Sequence, residues 1–160
     1  MNTTKVTVTW KLALVLSISI LLLLDFSNFY GLYSNRFYVF KIDNYIIPLL
    51  SLIHFSYLYQ FWCKVKENLF GSPKMRNLEY SLYIILLVCC FKFFDTLLII
   101  LSYFDYKNSL FPKTFFPVGL SILVLYASLI VLTLLIFGYR KELIGTYLFD
   151  DMNQHVDRWN

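Results

Sequence analysis

The chain has 160 residues, of which 59% are hydrophobic, 20% aromatic and only 15% charged. Soluble domains carry roughly 25% charged residues, and one soluble core of this length cannot hide four long apolar blocks. The formal net charge of +4 comes from 14 Lys and Arg against 10 Asp and Glu; the basic residues sit between apolar blocks, which is a membrane-flank pattern and argues against nucleic acid as a partner.

The first block runs from about Lys11 to Tyr30. Lys5 and Lys11 precede an apolar stretch from Leu12 to Leu24, as in a signal peptide, but no A-x-A-type cleavage site follows, so a retained signal-anchor helix is expected. The second block spans about Asn44 to Cys63, with Pro48 in its first turn, where a missing N–H costs little. It ends in Tyr57, Tyr59 and Trp62, followed by Lys64 and Lys66, an aromatic and basic signature of a membrane interface. Residues Lys64 to Tyr80, with Gly71-Ser72-Pro73, form the longest polar segment between helices and read as a loop or a short surface helix.

The third block covers about Ser81 to Tyr103. A short turn from Asp105 to Lys113 leads into a fourth, charge-free block from about Phe115 to Phe137, with Pro117 near its start. The run Gly138-Tyr139-Arg140-Lys141-Glu142-Leu143-Ile144-Gly145 reads as an ordinary helix end with basic anchors. In the tail, Phe149, Met152, Val156 and Trp159 fall three and four residues apart and line one helical face. That face suits a short amphipathic helix on the membrane surface or against a partner; a frayed tail is the plainer alternative.

Each block approaches or exceeds the roughly 20 residues that cross about 30 Å of hydrocarbon. The expected fold is therefore all-α: one membrane domain over residues 1–160, a four-helix transmembrane bundle (about 11–30, 44–63, 81–103 and 115–137), short loops, and a tail over 138–160. Lys5, Lys11, Lys64, Lys66, Lys74, Arg76, Arg140, Lys141 and Arg158 fall on one side, against Arg36, Lys41, Lys107 and Lys113 on the other. The positive-inside rule then places both termini in the cytoplasm, and the expected location is a bacterial plasma (inner) membrane.

Charged groups in hydrocarbon are costly, about 2.5–3.5 kcal/mol each at a helix centre, so those present are the candidate site. Lys92 and Asp95 sit near the middle of the third block, three residues apart, and either neutralise each other or serve a function. With His54 near the middle of the second block and Asp25 toward the end of the first, they form a candidate intramembrane polar cluster. Cys89 and Cys90 are adjacent; a vicinal disulfide is strained, so they and Cys63 read as small packing residues, with a redox role as the lesser alternative.

No ligand spacing for a metal, no nucleophile elbow, no P-loop and no dinucleotide fingerprint is present in the sequence, and no cofactor is expected. The expected partners are the lipid bilayer and either another membrane protein or further copies of the chain. Three classes of function are compatible. The first is a non-catalytic subunit or regulator of a membrane assembly. The second is a homo-oligomeric conduit or membrane-permeabilising effector built on Lys92, Asp95 and His54. The third, and least supported, is a membrane-embedded enzyme acting on a lipid or quinone through Asp25, His54 and the cysteines.

Overall fold

The structure of the protein is a computed structural model that describes residues 3–105, 111–145 and 147. Four helices dominate it: α1 (Thr3–Ser27), α2 (Ile46–Lys66), α3 (Pro73–Asp105) and α4 (Phe115–Leu143). All four contain stretches long and apolar enough to cross a membrane. Only 22% to 33% of each such stretch is buried inside the molecule. The remainder presents Leu, Ile, Val and Phe side chains outward, far more apolar surface than a water-soluble monomer exposes.

Helices α1 and α2 run antiparallel, with Trp10 meeting Phe61 and Asp25 meeting Ser51; the short turn at 67–72 reverses the chain between α2 and α3; and α3 and α4 are antiparallel, with Ile100 beside Gly119 and Glu79 bonded to Arg140. The four helices form a ring in which α1 adjoins α2 and α4, and α3 adjoins α2 and α4. The core runs up its centre through Trp10, Leu21, Leu24, Tyr57, Leu58, Phe61, Leu82, Ile85, Tyr126, Leu129 and Ile136. Trp10 meets Phe61 edge-on at 5.8 Å, and Tyr57 meets Phe137 edge-on at 5.8 Å. At Gly119 the α4 backbone comes so close to α3 that a β-carbon there would stand 3.1 Å from Ile100.

Helix ends depart from the sequence expectation for identifiable reasons. The segment from Lys64 to Tyr80, read as a loop or a short surface helix, is mostly the end of α2 and the start of α3, with a turn at 67–72 between them. Helix α2 closes in a Schellman arrangement, with Asn68 in the left-handed region (φ 51°) and the Leu69 N–H donating to the Lys64 carbonyl at 3.0 Å. Four residues later Ser72 accepts from the Met75 N–H at 3.4 Å, and Pro73 opens α3, where its missing N–H is harmless. Helix α4 runs past Gly138 and stops near Gly145, whose φ of 88° suits a residue just beyond a helix end.

The longest connection between helices is residues 28–45, not 64–80. It folds as a small antiparallel clasp, β1 (Tyr30–Gly31) paired with β2 (Arg36–Phe37), followed by a 3₁₀ turn over Ile42–Tyr45. The Tyr30 hydroxyl donates to the Asn35 side-chain oxygen, which also accepts from Thr114 at 3.2 Å, so the clasp is tied to the start of α4. Tyr33, Tyr103, Phe111 and Phe115 stack over the same end. This is the hairpin end of the bundle; the opposite end, with the α2–α3 turn and residue 147, is the tail end.

Candidate functional site

The polar residues singled out from the sequence fall into two separate places. Asp25 and His54 belong to the interior. Ser51, on the buried face of α2, has its hydroxyl 2.8 Å from Asp25 Oδ2 and 2.7 Å from the Pro48 carbonyl, and its single hydrogen serves one of them at a time. Asp25 Oδ1 is buried and has no protein hydrogen-bond partner. One turn along α2, His54 is 2% exposed, and neither ring nitrogen has a protein partner.

His54 and Ser51 line a central cavity of about 20 Å³ together with Leu24, Cys89, Tyr126 and Leu129. That volume holds one water-sized group. Asp25 is not among the residues that line the cavity, and apart from Ser51, His54, Cys89 and Tyr126 the walls are aliphatic side chains.

Lys92 and Asp95 lie elsewhere. Both are exposed on the outside of α3, and among the described residues they form no ion pair with each other or with any other group. They lie three residues apart, as the sequence predicts, on the exposed flank of a core stripe made by Leu82, Ile85, Cys89, Thr96 and Ile100, and Asp95 remains near enough to the buried Tyr126 to act on it electrostatically, as Asp25 does. Phe91, Phe94 and Leu98 beside them are also exposed. Of the four residues Lys92, Asp95, His54 and Asp25, the structure joins none directly to another: Asp25 is bonded to Ser51, His54 is buried one turn along α2, and Lys92 and Asp95 are exposed on α3.

A third polar group was not singled out from the sequence. Arg140 Nη2 donates to Glu79 Oε1 at 2.6 Å, and the two side chains are 6% and 4% exposed. The Tyr147 hydroxyl donates to Glu79 Oε2 at 2.7 Å, the Arg140 guanidinium lies 4.6 Å from the centre of the Tyr147 ring, and Arg140 Nη1 donates to the Gly145 carbonyl at 3.1 Å. Burial, then the hydrogen bond to Glu79 and the charge of that carboxylate, holds the Tyr147 phenol above its ordinary pKa. This knot ties the start of α3 to the end of α4 and to the chain beyond it.

Helical periodicity contains a signal for the knot. Arg140 continues the stripe Tyr126, Leu129, Thr133, Ile136 and Phe137 that α4 turns to the core, and Glu79 lies on the same α3 stripe as Met75 and Leu82. A basic residue at a helix end reads as a surface anchor only when it leaves that stripe.

Among the described residues no three His, Cys, Asp or Glu side chains are grouped as a metal ion requires. Cys63, Cys89 and Cys90 are free thiols. The proposed tail face of Phe149, Met152, Val156 and Trp159 lies outside the described residues. Comparison with protein families, with curated proteins and with solved structures finds no match to this chain.

Proposed function

We propose that the chain is a multi-pass membrane protein with both termini in the cytoplasm, and that it is a non-catalytic subunit or regulator docked on another membrane protein through the outer surface of α3. One observation carries this reading: Lys92 and Asp95 are exposed, unpaired with each other, in the middle of an apolar helix. In lipid each would cost about 2.5–3.5 kcal/mol. A partner helix offering an acid to Lys92 and a base or hydroxyl to Asp95 removes that cost and gains the surrounding contacts of Phe91, Phe94 and Leu98.

The same placement favours a second reading, in which the partner is another copy of the chain. In a symmetric pair Lys92 of one copy can meet Asp95 of the other, and reciprocally. Several copies arranged this way would surround a lumen lined by Lys92 and Asp95, an ion conduit. His54 has no part in such a lumen, because it is enclosed by its own bundle.

The test is gentle detergent extraction of tagged protein, with native mass measurement and identification of what accompanies it. A stoichiometric foreign membrane protein that is lost from the Lys92→Leu/Asp95→Leu variant, while the isolated chain melts no earlier, is the expected result. A homo-oligomer whose conductance in planar bilayers changes on Lys92→Gln selects the conduit. A lone monomer, indifferent to both substitutions, refutes both readings.

A further inference from the structure

Helices α1 and α2 touch at their two ends, through Trp10 against Phe61 at the tail end and Asp25 against Ser51 toward the hairpin end. Between these contacts they leave an open groove of about 210 Å³, lined by Leu14, Ile18, Phe55, Leu58, Tyr59 and Trp62. It lies away from the α3 surface that carries Lys92 and Asp95.

The groove is apolar along its length and basic at one end. On α1, Lys11, Leu14 and Ile18 share a face at spacings of three and four residues; on α2, Phe55, Tyr59, Trp62 and Lys66 do the same. Because the helices are antiparallel, both lysines come to the tail end, at the level set by the Trp10–Phe61 contact. Lys66 Nζ lies 5.0 Å from the Trp62 ring centre and Lys11 Nζ 5.7 Å from that of Trp10. Both are exposed, and neither is paired with an acid among the described residues. Asp25 is roughly 20 Å from Lys11 along α1, while Glu67 stands at the same end as the lysines and near enough to Tyr59 to act on it, so this end carries two lysines against one carboxylate.

We propose that this groove seats one acyl chain of an anionic phospholipid, with Lys11 and Lys66 meeting the charged headgroup. From Phe55 to Trp62 the groove runs about 10 Å along α2, enough for the upper part of one chain, and the indole of Trp62 stands where headgroup and chain join. The charge pattern selects anionic over zwitterionic lipid: a lysine near an anionic surface favours binding roughly fivefold. The inference rests on reading the helices as membrane spans, and is independent of what α3 docks on.

The test uses Trp62 as the reporter, in full-length protein carrying Trp10→Phe and Trp159→Phe, reconstituted in vesicles that contain brominated phosphatidylglycerol or brominated phosphatidylcholine. Bromine on the chain quenches an adjacent indole. The expected result is that phosphatidylglycerol quenches at a severalfold lower mole fraction. Lys11→Gln/Lys66→Gln should remove the preference and Lys11→Arg/Lys66→Arg should keep it. Native mass measurement of the unmodified protein should show retained phosphatidylglycerol.

Equal quenching by the two lipids overturns the proposal and leaves the membrane reading intact. A preference that survives Lys11→Gln/Lys66→Gln overturns it too. Protection of Trp62 from both lipids means that a second protein surface or no membrane at all covers the groove, and overturns it as well.

Discussion

Arg140 and Glu79 hold each other at 2.6 Å with almost no exposed surface, and each satisfies the other's charge where neither could stand alone. Losing one partner strands the other. Arg140→Ala or Glu79→Ala is expected to cost about 3–5 kcal/mol, read as an earlier thermal melt in detergent micelles. Changing both to Met is expected to cost much less than either single change, since no buried charge is then left. Tyr147 adds a pH dependence of known sign. Its folded pKa is raised, so the stability it contributes is fully present below the unfolded value of about 10 and is lost as pH climbs through the folded value. Between pH 9 and pH 12 the wild-type melting temperature should therefore fall more steeply than that of Tyr147→Phe. His54 presents the opposite case, a buried ring with no protein partner on either nitrogen. His54→Leu is expected to melt no earlier than wild type in detergent micelles, because an unsatisfied buried polar group costs about 1–3 kcal/mol.

The elements are positioned by a few backbone features. Gly71 lies so close to Tyr147 that a β-carbon there would come within 2.7 Å of the ring. That ring is pinned by Glu79 and Arg140 and has little freedom to yield. Gly71→Ala is therefore expected to release residue 147 from the bundle, seen as faster proteolysis of the C-terminal segment with the four helices retained by circular dichroism. The helix interiors were legible in the sequence because each is a long apolar run; the ends were not. Composition marks Lys64–Tyr80 as polar, yet a polar stretch continues a helix readily once Asn68 and Pro73 have confined the turn to residues 67–72. In α4, Gly138 suggested an end, but nothing stands within 4 Å of where its β-carbon would be, and the helix passes through it to Gly145. The small clasp over residues 28–45 escaped notice because it rests on pairings such as Tyr30 with Phe37, in a stretch with no strand-like alternation.

For the whole molecule, the distribution of basic residues predicts the hairpin end outside and the tail end in the cytoplasm. With Ser34→Cys in the clasp and Glu67→Cys in the α2–α3 turn, a membrane-impermeant maleimide should label the first in intact cells and the second only after permeabilisation. The reverse pattern would invert the orientation; labelling of both in intact cells would defeat the topology. What the sequence determined by itself was the number of long apolar helices and the short list of charges among them. Both depend on composition along the chain and on helix length, which need no tertiary information. What only the tertiary structure decided was which side of each helix faces the bundle. Periodicity shows that Lys92 and Asp95 share a face, and that Arg140 shares one with Phe137, but not which face meets a neighbour. That choice is set by packing between segments far apart in sequence, as Glu79 and Arg140 are, 61 residues from each other. It turned the expected inner cluster of Lys92 and Asp95 outward, and it brought an expected surface arginine into the core.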